Sequence, residues 1–127
     1  MDNNFLEKIF HESIRDHELT FSYLKTNDFY EKFTSSLKML SKTIKEGGCI
    51  FTCGNGGSFA DAQHFTAELV VRYKRTRDPI KSITLGSNFS NISACSNDFT
   101  FENVFQREYQ GLSSNKDSLV AISTSGN

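Results

Sequence analysis

Two short stretches rich in glycine and hydroxyl side chains are the parts of this sequence best suited to binding an anion. The first, residues 54–58 (GNGGS), precedes a segment without helix breakers. Glycines let the backbone approach a ligand, and a helix N-terminus offers free N–H groups. It has the spacing of neither a P-loop nor a dinucleotide-binding turn, and alone it is a weak signal. The second, residues 123–127 (STSGN), has three consecutive hydroxyls and a glycine, which fits either a phosphate cradle or an ordinary polar turn.

The segment after the first stretch carries a pair of side chains that could act on a bound ligand. His64 and Glu68 are four residues apart, which places both on one face of a helix. An imidazole and a carboxylate together suit a metal half-site or acid–base chemistry. A solvated helix face with an incidental pair is the alternative, and the spacing alone does not exclude it. Asp61, one turn earlier, fits a capping or supporting role better.

Other reactive side chains have simpler interpretations. A basic run within residues 72–77 is predicted to end the same helix, where cations suit the helix dipole and face solvent. Only Arg72 is a candidate for a phosphate or subunit contact. Cys53 stands where a nucleophile could be placed, but we interpret it as a small buried residue at a strand end.

The elements that must position these residues follow from breakers and periodicity. Residues 1–46 contain neither glycine nor proline and fit two helices, ended by Gly47 and Gly48. Both helices carry apolar residues at helical spacing, namely Phe5, Ile9, Phe10 and Ile14 in the first and Phe29, Phe33, Leu37, Leu40 and Ile44 in the second.

Three apolar runs, at residues 49–53, 80–85 and 118–123, predict buried strands. Helices are predicted between them at 59–77, 90–96 and 101–112, the first with Ala62, Phe65, Leu69 and Tyr73 on or near one stripe. Such alternation predicts an α/β fold, with N-terminal helices followed by a Rossmann-like parallel sheet. We expect one domain over residues 1–127, comprising a helical part (1–46) and an α/β part (47–127). Both hydroxyl-rich stretches would then lie at carboxyl ends of strands, where such sheets bind ligands.

The composition is that of a globular chain and does not indicate nucleic acid or a membrane as a partner. The sequence of 127 residues has 12 Phe and 4 Tyr to bury, and its formal net charge of −1 gives no field to attract nucleic acid or an anionic membrane. No apolar run is long enough to span a bilayer, and the N-terminus lacks the features of a signal peptide. Three cysteines argue against a disulfide framework. We therefore expect a cytoplasmic protein.

Together, three segments resemble the sugar isomerase (SIS) domain of the sedoheptulose-7-phosphate isomerases, also called phosphoheptose isomerases. They are CGNGGSFADAQHFTAELVVRY (53–73), SND (96–98) and ISTSGN (122–127), in matching order and spacing after a helical prelude. The resemblance implies the SIS fold and an enzyme that interconverts sedoheptulose 7-phosphate and D-glycero-D-manno-heptose 7-phosphate through a cis-enediolate. That reaction begins bacterial heptose synthesis, for lipopolysaccharide or capsule.

The resemblance also implies a set of site residues. Its substrate contacts fall on Asn55, Gly56, Gly57, Ser58, Glu68, Asn97, Asp98, Ser123, Thr124 and Ser125. The family's metal-binding pair falls on His64 and Glu68, implying one zinc per subunit, and Glu68 also serves as the acid/base. The family forms homotetramers with sites between subunits, for which the long N-terminal helices offer a surface.

The main departure from the family is length. The family continues beyond the position of Asn127 and holds there two further metal ligands, a Gln and a His, as well as the catalytic His. We therefore expect a chain that is incomplete at its C-terminal end and inactive by itself.

Two non-catalytic functions are the alternatives: a SIS protein that binds the replication initiator DnaA, and a SIS domain that senses a sugar phosphate. The DnaA-binding relative lacks the carboxylate at the position of Glu68 and has a less regular NGGS turn. Both features are intact here, which favours the enzyme.

Overall fold

The computed structural model describes residues 2–126 and contains, within that range, five α-helices and three β-strands. In chain order they are α1 (Asn3–Leu24), α2 (Asn27–Lys45), β1 (Ile50–Gly54), α3 (Gly57–Val70), β2 (Ser82–Thr84), α4 (Phe89–Asp98), α5 (Val104–Leu112) and β3 (Ser118–Ile122). A 3-10 turn (Phe101–Asn103) leads into α5. None of the described helices is long and apolar enough to cross a membrane.

By its internal contacts the chain divides into two compact units, residues 1–38 and 39–127. In the first, Asp2 caps α1 by accepting a hydrogen bond from the backbone N–H of Asn4. The predicted helix therefore forms, but no residue of α1 is buried, and Phe5, Ile9 and Ile14 are about half exposed. Its apolar stripe is therefore left unburied in the described part of this unit.

In the second unit, α2 ends at the predicted glycines. Gly47 adopts a positive φ of 74°, and the N–H groups of Gly47 and Gly48 donate to the carbonyls of Ile44 and Thr43. This is the Schellman arrangement that satisfies the last carbonyls of a helix. A Cβ on Gly48 would lie 2.2 Å from the carbonyl oxygen of Lys116, so only glycine lets the two segments pass this closely.

The three strands form a parallel sheet in the order β2-β1-β3, which confirms the predicted fold class. Ile50 is paired with Ser82 on one side and with Ser118 on the other. All three predicted strands exist, although β2 is limited to three residues. β1 is central, and each of its five residues is buried.

One face of the sheet is covered by α3 through small and hydroxyl residues. Ala62 is fully buried, and the Thr52 hydroxyl lies 3.1 Å from its carbonyl oxygen, 2.9 Å from the Thr66 hydroxyl and 3.0 Å from that of Thr84. Thr66 also contacts the Ser82 hydroxyl at 3.0 Å. Of the residues on the predicted stripe, Ala62 is buried and Leu69 is half-buried, whereas Phe65 and Tyr73 are exposed.

The end of α3 also differs from the prediction, which extended the helix to residue 77. In a longer helix, the carbonyls of Glu68 and Leu69 would accept from N–H groups four residues ahead. Instead Arg77 donates to the Glu68 carbonyl (2.7 Å), and the N–H of Ile80 donates to that of Leu69 (3.1 Å). The basic run therefore lies in a loop that folds back onto the helix end.

The opposite face of the sheet packs against α5. Phe51, Cys53 and Leu85 form the buried cluster, with Phe105 and Tyr109 of α5 against it. The rings of Phe51 and Tyr109 meet edge to face at 5.3 Å. Burial raises the pKa of the Cys53 thiol, which keeps it protonated and supports its interpretation as a packing residue.

Candidate functional site

The topology creates a crevice at the carboxyl ends of β1 and β3. Neighbouring residues of a strand point to opposite faces, and Thr52 contacts α3 whereas Phe51 contacts α5. The connections leaving β1 and entering β3 therefore cover opposite faces of the sheet. Where such connections diverge, an α/β sheet binds its ligands. Gly54 is paired with Ile122 here, so both hydroxyl-rich stretches begin at this point.

The Gly-rich turn exposes backbone donors at the start of α3. Gly56 has a φ of 56°, and a Cβ on Gly54 would lie 2.6 Å from the Ser58 carbonyl oxygen. Both positions therefore require glycine. α3 has no side-chain cap, and the N–H groups of Ser58 and Phe59 donate to the carbonyls of Asn55 (3.0 Å) and Gly56 (3.1 Å). Within residues 2–126, the N–H of Gly57 has no such partner, so it is the donor of the first turn that an anion could use. Ser58 is largely buried in the first turn, directly behind Asn55, Gly56 and Gly57.

The second stretch is folded around the Ser123 hydroxyl. This oxygen accepts the N–H of Gly126 at 3.0 Å and lies 3.5 Å from the Ser125 hydroxyl. The side chains of Ser123, Thr124 and Ser125 are exposed. They form a polar loop beside the Gly-rich turn, while Asn127 lies outside the described residues.

The structure brings His64 and Glu68 together as the spacing predicted. His64 Nε2 lies 3.1 Å from Glu68 Oε1. The imidazole is 76% exposed and the carboxylate side chain 34%. Glu68 Oε2 is buried and, within residues 2–126, has no hydrogen-bond partner. A buried acceptor in this condition is suited to a cation or to a donor supplied by a ligand.

The pair is separated from the Gly-rich turn of its own chain. At 1.5 Å per residue, His64 and Glu68 lie about 10 and 16 Å along α3 from its first residue. Ala62 and Thr66 face the sheet, so His64, two residues from each, points away from it. One chain thus places the Gly-rich turn and the His64–Glu68 pair at separate positions along α3.

Asn97 and Asp98 are the last two residues of α4, which packs against α5 and the 3-10 turn. The Asn97 amide donates to Asp98 Oδ1 at 2.8 Å, and both side chains are exposed. Among the described residues, no hydrogen bond joins either of them to the Gly-rich turn or to α3. Asp98 borders a cavity of about 250 Å³ together with Arg107 and Glu108.

Glu108 is a residue that the sequence analysis did not single out. Its carboxylate accepts the N–H of Gly86 at 2.5 Å and the side-chain amide of Asn91 at 2.7 Å. Glu108 stands four residues after the buried Val104, on the same helix face. A charged residue on an apolar stripe is the sequence signal that could have identified it.

The His64–Glu68 pair offers metal-ligand atoms of the kinds that zinc requires. Zinc takes imidazole nitrogen and carboxylate oxygen, and the paired His64 and Glu68 offer one of each. The orphaned Glu68 Oε2 fits a cation as well. No group of three or more His, Cys, Asp or Glu side chains is placed to hold a metal ion in the described part of the chain. These residues therefore fit a zinc ion as two of its ligands.

Known proteins resemble the chain in both sequence and structure. The sequence model of the SIS domain family matches residues 25–127 of this chain. The phosphoheptose isomerase of Campylobacter concisus is 41% identical over 122 residues, covering 96% of this chain and 64% of the relative. Phosphoheptose isomerase 1 of Campylobacter jejuni is 51% identical over 89 residues, covering 70% and 48%.

Two solved structures superpose on nearly the whole chain. The phosphoheptose isomerase of Neisseria gonorrhoeae has a TM-score of 0.78 at 33% identity, covering 98% of this chain and 61% of that one. For the phosphoheptose isomerase of Francisella tularensis the TM-score is 0.80 at 26% identity, covering 98% and 63%. The chain thus spans about half to two thirds of the length of these relatives.

Proposed function

Because this chain belongs to the SIS domain family, we propose that the protein is a ketose–aldose isomerase that converts sedoheptulose 7-phosphate to D-glycero-D-manno-heptose 7-phosphate. One observation carries the proposal: an anion-binding crevice at the β1/β3 switch point and a His64–Glu68 pair occur in a chain whose matched relatives are named phosphoheptose isomerases. We propose that it acts in the cytoplasm, as an enzyme of heptose synthesis.

We propose that the substrate phosphate binds at the switch point. The N-terminus of α3 supplies the backbone N–H of Gly57 and the hydroxyl of Ser58, and the hydroxyls of residues 123–125 supply further donors. Asn55 and Gly56 contact the sugar. The phosphate takes no part in the bond changes, so its binding energy serves to position the reacting carbons.

Glu68 is the acid/base in this proposal. It removes a proton from C1 of the ketose to give a cis-enediolate. Return of that proton to C2, together with transfer of the O1 hydroxyl proton to O2, gives the aldose. The 3.1 Å contact with His64 Nε2 holds Glu68 Oε1 and so orients the carboxylate. Zinc bound by His64 and Glu68 would supply charge stabilisation at the substrate oxygens.

The distance between the phosphate crevice and Glu68 supports a site shared between subunits. Glu68 lies about 16 Å along α3 from the crevice of its own chain. We therefore propose a homotetramer in which the crevice of one subunit is completed by residues of another. Asn97 and Asp98, exposed at the end of α4, would contribute substrate contacts in the same assembly.

The experiment is to incubate the natural full-length protein with sedoheptulose 7-phosphate and follow the appearance of the aldose by NMR. We expect turnover that Glu68→Gln removes. Binding of the sugar phosphate without turnover would identify a sensor instead, and specific capture of DnaA without turnover would identify a partner of the replication initiator. When the sugar phosphate is added in steps, changes in the NMR chemical shifts of the backbone amides at residues 57–58 and 123–125 support the phosphate site. Shifts confined to the basic loop at 74–77 contradict it.

A further inference from the structure

Glu108 joins three segments of the second unit through one carboxylate. It extends from α5, accepts the backbone N–H of Gly86 in the turn after β2, and accepts the side-chain amide of Asn91 in α4. Hydrogen bonds to an ionised carboxylate are stronger than those between neutral groups. Both oxygens of Glu108 are used in this way, so the side chain acts as a clamp.

The turn held by this clamp requires glycine at position 86. Gly86 has a φ of 80°, and a Cβ at this position would lie 3.0 Å from the Phe105 ring. Gly86 also lines a cavity of about 160 Å³ together with Asn55 and Gly56. The position of the Gly86 turn therefore sets one wall of the space beside the Gly-rich turn.

The helix held by the clamp has few other attachments. α4 packs against the 3-10 turn and α5 rather than against the sheet, and none of its residues is buried. Asn91 stands six residues before Asn97, about 9 Å along the helix. A bond at Asn91 is thus a direct restraint on the end of α4 that carries Asn97 and Asp98.

From these contacts we propose that Glu108 is a positioning residue for the sugar phosphate. It fixes the Gly86 turn and α4 so that Asn97 and Asp98 are presented in one orientation. This inference rests on the proposed function, because it takes Asn97 and Asp98 as substrate contacts. Glu108 itself does not contact the substrate.

The test uses three variants of the natural full-length protein. Glu108→Ala removes both hydrogen bonds, and Glu108→Gln keeps a carbonyl oxygen for Gly86 and an amide that can pair with Asn91. Gln110→Ala, at an exposed position of the same helix, is the control. In Glu108→Ala, Asn97 and Asp98 should be misplaced and should bind the substrate and the transition state equally less well. KM should therefore rise roughly tenfold, while kcat changes less. The KM of Glu108→Gln should stay within about threefold of the wild-type value, and the KM of Gln110→Ala should equal the wild-type value.

Hydrogen exchange supplies a readout that does not depend on turnover. Amides of residues 86–98 should exchange faster in Glu108→Ala than in Glu108→Gln or Gln110→Ala. An unchanged KM in a folded Glu108→Ala protein, or a Gln variant as impaired as the Ala variant, overturns the inference. A wild-type protein without turnover contradicts the proposed function, while the exchange data still decide whether Glu108 holds α4.

Discussion

At the scale of single residues, Glu68 combines two features that rarely occur on one surface carboxylate. One oxygen is held by His64, while the other is buried without a partner among the described residues. An acceptor left unpaired in the absence of ligand is ready to bind one. The i, i+4 spacing predicted that the two side chains meet, but the burial of Oε2 depends on tertiary packing that the spacing does not encode.

We expect Glu68→Gln to remove isomerase activity from the full-length protein without unfolding it. A glutamine has almost the same shape but cannot accept the substrate proton, so kcat should fall by roughly 100-fold or more. The measurement is steady-state kinetics on sedoheptulose 7-phosphate. Glu46→Gln is the control, because Glu46 makes only a 3.9 Å surface pair with Lys42. Near-normal turnover in the Glu68 variant would remove this residue from the mechanism.

Residue-scale prediction from the sequence was limited to side chains that lie close along the chain. His64 with Glu68, and Ser123 with Ser125, were found in this way. Glu108 was not found, because its partners come from two other elements and no local pattern brings them together.

At the scale of elements, α3 is fixed to the sheet by hydroxyl groups instead of large apolar side chains. Thr52 is central to this network, with three oxygen partners within about 3.1 Å. Apolar periodicity did not predict this surface, since threonine and serine are usually read as exposed. The same method placed the strands correctly because each is a short run rich in apolar and β-branched residues.

Replacing Thr52 by valine should therefore destabilise the chain although the shapes match. The variant loses the hydrogen bonds of the Thr52 hydroxyl, although Thr66 keeps the Ser82 hydroxyl and Thr84 keeps the Ala62 carbonyl as partners. We expect a cost of about 0.5–1.5 kcal/mol in the free energy of unfolding. Thr52→Ser keeps the hydroxyl and should lose less. Urea denaturation measures the difference, with Thr76→Val in the exposed basic loop as the control. If valine proves as stable as threonine, the network does not fix α3.

The segment before β3 offers a pH-dependent test. Hydrogen bonds from the backbone N–H groups of Cys49 and Ser114, each 2.6 Å long, hold the pKa of Asp117 below its usual value. Since the folded pKa is the lower one, the stabilisation is present above the unfolded value of about 3.9 and is lost as pH falls through the folded value.

Asp117→Asn should accordingly unfold more easily than wild type at pH 7, by about 1–2 kcal/mol. The gap between the two proteins should narrow as pH falls below about 4, because the unfolded wild-type chain then binds a proton that the folded one does not, and the gap is smallest once the folded carboxylate is protonated too. Urea denaturation over a pH series measures this gap, and Asp78→Asn, at an exposed position, serves as the comparison. A gap that stays constant down to pH 2 would show that the charge of Asp117 contributes nothing.

At the scale of the whole molecule, the apolar stripe of α1 is the largest feature that packing within its unit does not explain. A stripe at helical spacing was predicted, and it is present but unburied. Sequence periodicity shows that a face is apolar but not what covers it. Exposed apolar surface of this kind marks an interaction site, and a second copy of the chain fits the proposed homotetramer.

We expect Ile9→Ser to weaken self-association of the full-length protein, whereas His11→Ser should leave it unchanged. The two variants place the same small polar residue on different sides of α1, so helix propensity affects both alike. Sedimentation velocity over a concentration series measures the populations of monomer and tetramer. Equal behaviour of the two variants would exclude the stripe from the subunit interface.

The central position of β1 has a consequence for how the chain is made. Ile50 is paired with Ser82, which is 32 residues later, and Asp117, which binds the backbone of Cys49, is 68 residues later. At synthesis rates of about 5–20 residues per second, β3 leaves the ribosome about 3–14 s after β1. Throughout that interval one edge of β1, whose five residues are all buried in the folded chain, has no native partner. The growing chain is therefore most exposed to misassociation before Ser118–Ile122 has been synthesised.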